Sequence, residues 1–255
     1  MGRTFFSFEP IIWLDLETCG LDKFTKDIWQ FAYMIETKEG IKEPRNLFIR
    51  PVNPLYCSSC KTLLNGDTYP YTEWLNKECP VCHSSKVVEN IDPGARAIFK
   101  TPYEEIVNNG MNPKEAYAIF RKDMEQYTYR DKYGKDRQMQ MYPAGYCVDF
   151  DLGFLAEWFR KVGDYPDKNE IHQWFVMAGM LDTRAAMVQL YKRLVKRGIR
   201  VPPIENFKLG TAHAFMKELT GKTLELEKTA SATFHDAAYD IAITRMIQQE
   251  IDNLS

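Results

Sequence analysis

Two carboxylates set two residues apart in an apolar run constrain this chain more than any other feature. In Ile11 to Asp22, reading IIWLDLETCGLD, the acids are Asp15 and Glu17. Residues i and i+2 of a β-strand point to one face, so both acids project into one space while Ile12, Trp13, Leu14 and Leu16 pack. Like charges side by side repel unless a cation lies between them. Hard divalent cations such as Mg²⁺ take oxygen ligands. The strand end is therefore either half of a metal site or a strand mouth whose acids face solvent, and distant residues decide between the two.

At 255 residues the chain has length for one well-buried domain of catalytic size and a small insertion. Its 45% apolar content and formal charge of −2 are those of a globular protein. No run approaches the roughly 18 apolar residues of a membrane span. The first strand starts almost at once, without the basic flank, apolar region and cleavage site of a signal peptide. Gly2 invites a myristoylation reading, but Phe6 stands where that motif needs Ser or Thr. The expectation is an intracellular, cytoplasmic protein with reduced thiols and no membrane partner. Near-neutral charge excludes coating nucleic acid by bulk charge and leaves room for a local basic groove.

After Gly20 and Asp22, which read as a turn, Asp27 to Glu36 is predicted to be a second strand. Lys38 to Gly40 is a further turn, and Asn46 to Val52 a third strand closed by Pro51 and Pro54, giving an antiparallel meander. The pattern then breaks. Cys57 and Cys60 form one C-x2-C pair and Cys79 and Cys82 a second. Two such pairs fit one tetrahedral four-cysteine Zn²⁺ site, a zinc ribbon inserted over residues 55–88. So short a segment buries little apolar surface, so its fold is expected to depend on the metal, in a structural rather than chemical role. His83 could stand in for a cysteine as ligand, but its place beside Cys82 favours the surface.

Regular structure resumes with a predicted helix over Ala95 to Val107 and a break at Asn109-Gly110. Pro113 opens a helix to Tyr127 whose Ala116, Ile119, Phe120, Met124 and Tyr127 follow helical spacing. Tyr129 to Tyr142 reads as a hairpin carrying Arg130, Lys132, Lys135 and Arg137, either solvated or touching a phosphate backbone. Gly145 to Lys161 starts as a strand and continues as an amphipathic helix, with Asp149 and Asp151 at the crossover. Trp174 to Leu181 is predicted to be a buried strand, and Asp182-Thr183 to cap a helix reaching Gly198. Lys192, Arg193, Lys196 and Arg197 on that helix either complement its dipole or make a basic face for nucleic acid. A helix over Phe207 to Leu219 and a long one over Phe234 to Ile251, opening on His235, complete a single α/β domain.

Asp15-x-Glu17, the acid in Phe150-Asp151-x-x-Phe154-Leu155, and His235-x-Ala237-x-x-Asp240 resemble, in order and spacing, the three motifs of the DEDDh exonucleases. These are the DnaQ-like members of the ribonuclease H-like superfamily. The resemblance implies an α/β fold with a ribonuclease H-like mixed central sheet flanked by helices, built from residues 1–54 and 89–255 around the ribbon. It implies that Asp15, Glu17 and Asp240 hold one Mg²⁺ or Mn²⁺ and that Asp151, with Asp15, holds a second. His235 would be the general base, and Leu16, Thr18 and Leu21 would line the pocket of the 3′-terminal nucleotide. Asp149 competes with Asp151 for its role, but the spacing to Phe154-Leu155 favours Asp151. Tyr146-Cys147 and Cys19 depart from the family's His-Asn and second Thr. The implied activity is 3′-to-5′ exonucleolytic release of nucleoside 5′-monophosphates from single-stranded ends. DNA is favoured over RNA, in replication or proofreading, with a polymerase or replisome partner. An RNA-trimming enzyme and a non-catalytic adaptor acting through the ribbon are the alternatives.

Overall fold

In a computed structural model, which describes residues 10–83, 85–99, 101–164, 170–222 and 236–254, the acid-bearing run is the strand β1, Ile11–Thr18. It pairs antiparallel along its length with β2, Ile28–Thr37. Two short segments, β3 (Gly40–Ile41) and β4 (Arg45–Phe48), pair antiparallel with β2 as one interrupted edge. The predicted meander is present, although its third strand stops at Phe48 and Ile49 bridges to Met111 instead.

The ribbon follows, with β5 (Leu55–Cys57), β6 (Leu63–Leu64), the single turn α1 (Tyr71–Trp74) and β7 (Val87–Glu89). Its three strands form a separate antiparallel sheet, β6-β5-β7. Next come α2 (Pro93–Ile98), α3 (Tyr103–Asn109) and α4 (Pro113–Glu125). The single helix predicted over Ala95 to Val107 is thus two. Pro102 disfavours helical backbone at the residue before it and has no N–H to continue a ladder, so it breaks the run and caps α3.

β8 (Thr128–Arg130) and β9 (Asp136–Gln138) make the predicted hairpin, and β10 (Tyr142–Gly145) leads into α5 (Val148–Val162). The strand predicted over Trp174 to Leu181 is corrected. That stretch holds the end of α6 (Ile171–Trp174), a 3₁₀ turn at Met177–Gly179 and only a two-residue strand, β11 (Leu181–Asp182). Trp174 and Phe175 are buried as the apolar run requires, but a continuous apolar run does not distinguish strand from other buried backbone. At Gly179 the chain turns against the Tyr142 ring, where a Cβ would collide. α7 (Thr183–Lys196), α8 (Leu209–Thr220) and α9 (Ala237–Asn253) complete the chain.

The main sheet runs β11-β10-β1-β2-β3, with β4 also on β2, and β10 and β11 lie parallel to β1. It is the mixed sheet expected, flanked by helices on both faces. The alternation along β1 divides the core. Ile12, Leu14 and Leu16 face α4 and α5 in an aromatic-rich cluster with Phe31, Phe120 and Trp158. Trp13 faces the other way, onto Ala237 and Ile241 of α9. Asp15 and Glu17 share the Trp13 face, so strand periodicity alone aims them at the start of α9. No helix among the described residues is long and apolar enough to cross a membrane.

Candidate active site

Three elements converge at the C-terminal end of β1. Asp15 and Glu17 come from the strand, and Asp240 from the first turn of α9, with ligand atoms of all three within 4.8 Å of one another. Asp236 caps α9 by accepting a hydrogen bond from the Ala238 N–H at 3.1 Å, which fixes the turn that carries Asp240. Asp151 sits buried in the first turn of α5, whereas Asp149 is exposed. The turn into α5 is sharp: Cys147 adopts the left-handed conformation, φ 67°, just after Gly145. His235 lies outside the described residues.

The electrostatics of this corner are lopsided. Burial pushes the Asp15 carboxyl well above the ordinary carboxylate range, and the charges of Asp151, Asp240 and Glu17 push it further. Burial likewise raises Asp151, helped by Glu17 and Asp182 and opposed by a backbone hydrogen bond from Leu16. Asp15 is thus held against the charges of three other carboxylates, and Asp151 against that of Glu17. A divalent cation reverses that penalty, and an all-oxygen donor set is the one Mg²⁺ and Mn²⁺ take. The donor chemistry fits such ions.

Of the three residues expected at the nucleotide, Leu16 is buried on the core side of β1, with its backbone turned to Asp151. The Thr18 hydroxyl donates to the Gly20 carbonyl at 2.7 Å, and Leu21 stands 83% exposed at the mouth. Two aromatics that the sequence reading did not single out join Leu21 at this end. Phe24 is 60% exposed, and Phe150, packed on Phe154 with ring centroids 4.9 Å apart, is 39% exposed. Its place next to Asp151 was the available signal. In the departures from the family pattern, the Tyr146 hydroxyl donates to the Phe207 carbonyl at 2.6 Å, and Arg184 donates to the Cys147 sulfur at 3.3 Å.

No protein-family model and no curated protein matches the chain in sequence. Solved structures do match. Exonuclease I of E. coli, in a zinc-ion-bound complex with single-stranded DNA, superposes with a TM-score of 0.57 at 17% identity, over 96% of this chain and 41% of that one. A product-bound exonuclease I gives 0.57 at 16%, over 96% and 44%, and the E. coli enzyme with a dT13 oligonucleotide gives 0.56 at 19%, over 94% and 40%. The fold is that of exonuclease I. The chain spans about two fifths of the length of these exonuclease I chains.

Set into this exonuclease I fold is the four-cysteine cluster. Sγ separations are 3.7 Å for Cys57 to Cys82 and 3.7 Å for Cys60 to Cys79, against about 3.8 Å for the edge of a tetrahedron with Zn–S bonds of about 2.3 Å. The two pairs are built alike. Lys61 and His83, each just after a second cysteine, are left-handed (φ 61° and 54°) and donate their N–H to the carbonyls of Cys57 and Cys79. The His83 side chain is exposed, as expected. Hydrogen bonds from the Ser85 hydroxyl and the Cys60 N–H pull the Cys57 thiol down to about 6, while burial lifts Cys79 to about 11. Thiolate at one cysteine gives an entering ion its first ligand.

The ribbon is not a free appendage. Leu55, Leu64, Tyr71 and Val87 share an apolar cluster with Trp29 of β2 and with Tyr103, Ile106 and Val107 of α3. Its exit strand also grips the loop that follows the acid-bearing strand β1. Buried Asn90 donates to the carbonyls of Thr25 (2.8 Å) and Asn53 (3.0 Å) and accepts from Lys26 (3.0 Å). Lys26 pairs with Asp92 at 2.9 Å, and the Asp92 N–H donates to the Cys19 carbonyl at 2.8 Å. A Cβ at Gly20 would push aside the Asp92 carboxylate that pairs with Lys26. Asn90→Ala strands two carbonyls and leaves the Lys26 ammonium with Asp92 alone, a loss of about 2–3 kcal/mol. Urea unfolding of the variant checks it: an unchanged midpoint would mean the loop holds without the grip.

Proposed function

We propose that the chain is a divalent-metal-dependent 3′-to-5′ exonuclease that shortens single-stranded DNA and releases nucleoside 5′-monophosphates. The observation that carries this reading is the convergence of Asp15, Glu17 and Asp240 within 4.8 Å at a strand end of an exonuclease I fold. Asp15, Glu17 and Asp240 would hold one Mg²⁺ or Mn²⁺, and Asp151 together with Asp15 a second. The chemistry bound ions supply there is activation of a water and charge stabilisation at the leaving 3′-oxygen. The residues themselves set position and protons. β1 and the capped start of α9 fix three carboxylates, the first turn of α5 brings the fourth, and His235 takes the proton of the attacking water near neutral pH. Leu21, Phe24 and Phe150 offer exposed apolar surface to the terminal bases, with Thr18 and the Leu16 backbone behind them. Cys57, Cys60, Cys79 and Cys82 hold one structural Zn²⁺, making residues 55–88 a ribbon within a discontinuous catalytic domain, 1–54 and 89–255.

DNA is placed ahead of RNA because exonuclease I is seen with dT13, dA13 and dA16 oligonucleotides. Four cysteines gathered as zinc ligands and two more outside any disulfide suit the cytoplasm, where thiols stay reduced. End trimming of this kind serves replication and proofreading when coupled to a polymerase, so a polymerase or replisome component is the partner class this reading names. The test uses 5′-labelled single-stranded DNA and RNA of one sequence, with Mg²⁺, with Mn²⁺ and without added metal. A metal-dependent ladder shortening from the 3′ end, faster on DNA, is expected. A folded, zinc-loaded protein that leaves both strands intact contradicts the reading.

A further inference from the structure

Helix α7 starts at the acid site and carries the strongest one-sign charge on the molecule. Thr183 to Arg200 holds six cations (Arg184, Lys192, Arg193, Lys196, Arg197 and Arg200) and no acid, in a chain whose overall formal charge is −2. Met187, Leu190 and Leu194 bury one face of the helix against α8 and α9, and the cations occupy the other, all of them exposed. Complementing the helix dipole takes a cation or two in the last turn. That accounts for Arg193 and Lys196. It leaves Lys192, one turn earlier, and Arg200, beyond the helix end, without a structural purpose.

The other arginines set Arg197 and Arg200 apart. Every described arginine outside this stretch pairs with Asp or Glu, from Arg45 with Asp123 at 2.7 Å to Arg245 with Glu36 at 2.9 Å. Among the described residues, no carboxylate pairs with Lys192, Lys196, Arg197 or Arg200. Exposed Val195 (50%) and Ile199 (44%) lie between them. At its other end the helix is anchored in the site: Asp182 caps it through the Ala185 N–H at 2.8 Å, β11 lies beside β10 with Asp182 opposite Gly145, and Arg184 reaches Cys147. From Arg184 to Lys196 the stripe runs about 18 Å.

We infer that the exposed face of α7 and its exit, Lys192 to Arg200, is the track for the phosphate backbone of the single strand whose 3′ end enters the acid site. This rests on the exonuclease reading. Unpaired cations bind phosphates by releasing counterions, and the interleaved Val195 and Ile199 give sugars and bases an apolar contact. The hairpin β8–β9, the other basic segment, is less suited to this, because its Arg130 and Arg137 are already paired with Asp136 and Asp131.

The test is binding of a fluorescent oligothymidylate by anisotropy across a salt series, in an Asp15→Asn background so that no hydrolysis intervenes. Two triple variants are compared, Lys192→Ala/Lys196→Ala/Arg197→Ala on α7 and Lys132→Ala/Lys135→Ala/Arg137→Ala on the hairpin, each checked for zinc content and thermal melting. For three lost phosphate contacts the α7 variant should flatten the slope of log K against log salt by about 2 and weaken binding at least about tenfold at low salt. The hairpin variant should match its parent. An unchanged slope in the α7 variant, or a loss confined to the hairpin variant, overturns the track while leaving the exonuclease reading intact. A parent protein that binds no oligonucleotide overturns both.

Discussion

Asp15→Asn is expected to abolish hydrolysis, by several orders of magnitude, while making the protein more stable at neutral pH when no Mg²⁺ is added. The two effects share one cause. In the folded protein the Asp15 carboxyl titrates well above its unfolded value because it is buried and faces Asp151, Asp240 and Glu17. A group whose folded pKa is raised contributes its stability in full below the unfolded value, about 3.9 for Asp, and loses it as pH rises through the folded value. The wild-type protein without divalent ions should therefore lose stability between acid and neutral pH, and the amide should remove part of that slope. Adding Mg²⁺ or Mn²⁺ should stabilise the wild type by mass action and the variant much less. Thermal melting at several pH values, with and without Mg²⁺, beside the 3′-shortening assay, reads both effects. An Asp15→Asn protein that still cleaves at near the wild-type rate removes Asp15 from the site. Activity lost without any change in Mg²⁺-induced stabilisation moves the metal elsewhere.

What was legible in the sequence is what depends on local periodicity. Alternation in Ile11 to Leu16 predicted the strand and the face its acids share, and the Cys57, Cys60, Cys79 and Cys82 spacing predicted the cluster that the fold closes to within 4.8 Å. The resemblance to DEDDh enzymes anticipated that Asp240, 223 residues from Glu17, would meet it, which no local pattern can show. Two segments misled. From Trp174 to Leu181 the apolar run reported burial correctly and backbone wrongly, because tertiary packing rather than propensity sets a short buried segment. From Ala95 to Val107 helical residues outweighed one Pro102 that steric exclusion does not permit inside a helix. The grip of Asn90 on Thr25 and Asn53 was invisible for a different reason. An Asn between a ribbon and a helix reads as a loop residue, and only the fold shows it buried with every polar atom in use.

That grip would give a zinc ion held by the four cysteines a role at a distance. Structural zinc contributes on the order of 10–16 kcal/mol of apparent folding free energy in small zinc modules, and β5 to β7 contribute few apolar residues of their own. Withdrawing the ion, or replacing buried Cys57 by Ser, should therefore unfold the ribbon and uncover Leu55, Leu64 and Val87. The main sheet keeps its larger cluster around Phe31 and Phe120 and should remain folded. Trp29 and Trp74 both touch the ribbon cluster, so tryptophan emission should shift to the red and a hydrophobic dye should bind. Cys60 is exposed, which gives a chelator its entry. Exonuclease activity should fall too, because Asn90 and Asp92 no longer hold the loop from Cys19 to Asp27 that carries Leu21 and Phe24 to the mouth. The fall should appear first as weaker oligonucleotide binding, with the Asp15, Glu17 and Asp240 cluster still able to take Mg²⁺. One zinc per chain, lost together with the emission change, is the expected course. A Cys57→Ser protein that melts like the wild type would rule out the supporting ion. A zinc-depleted protein with native emission and no hydrolysis would instead place the ion in the chemistry.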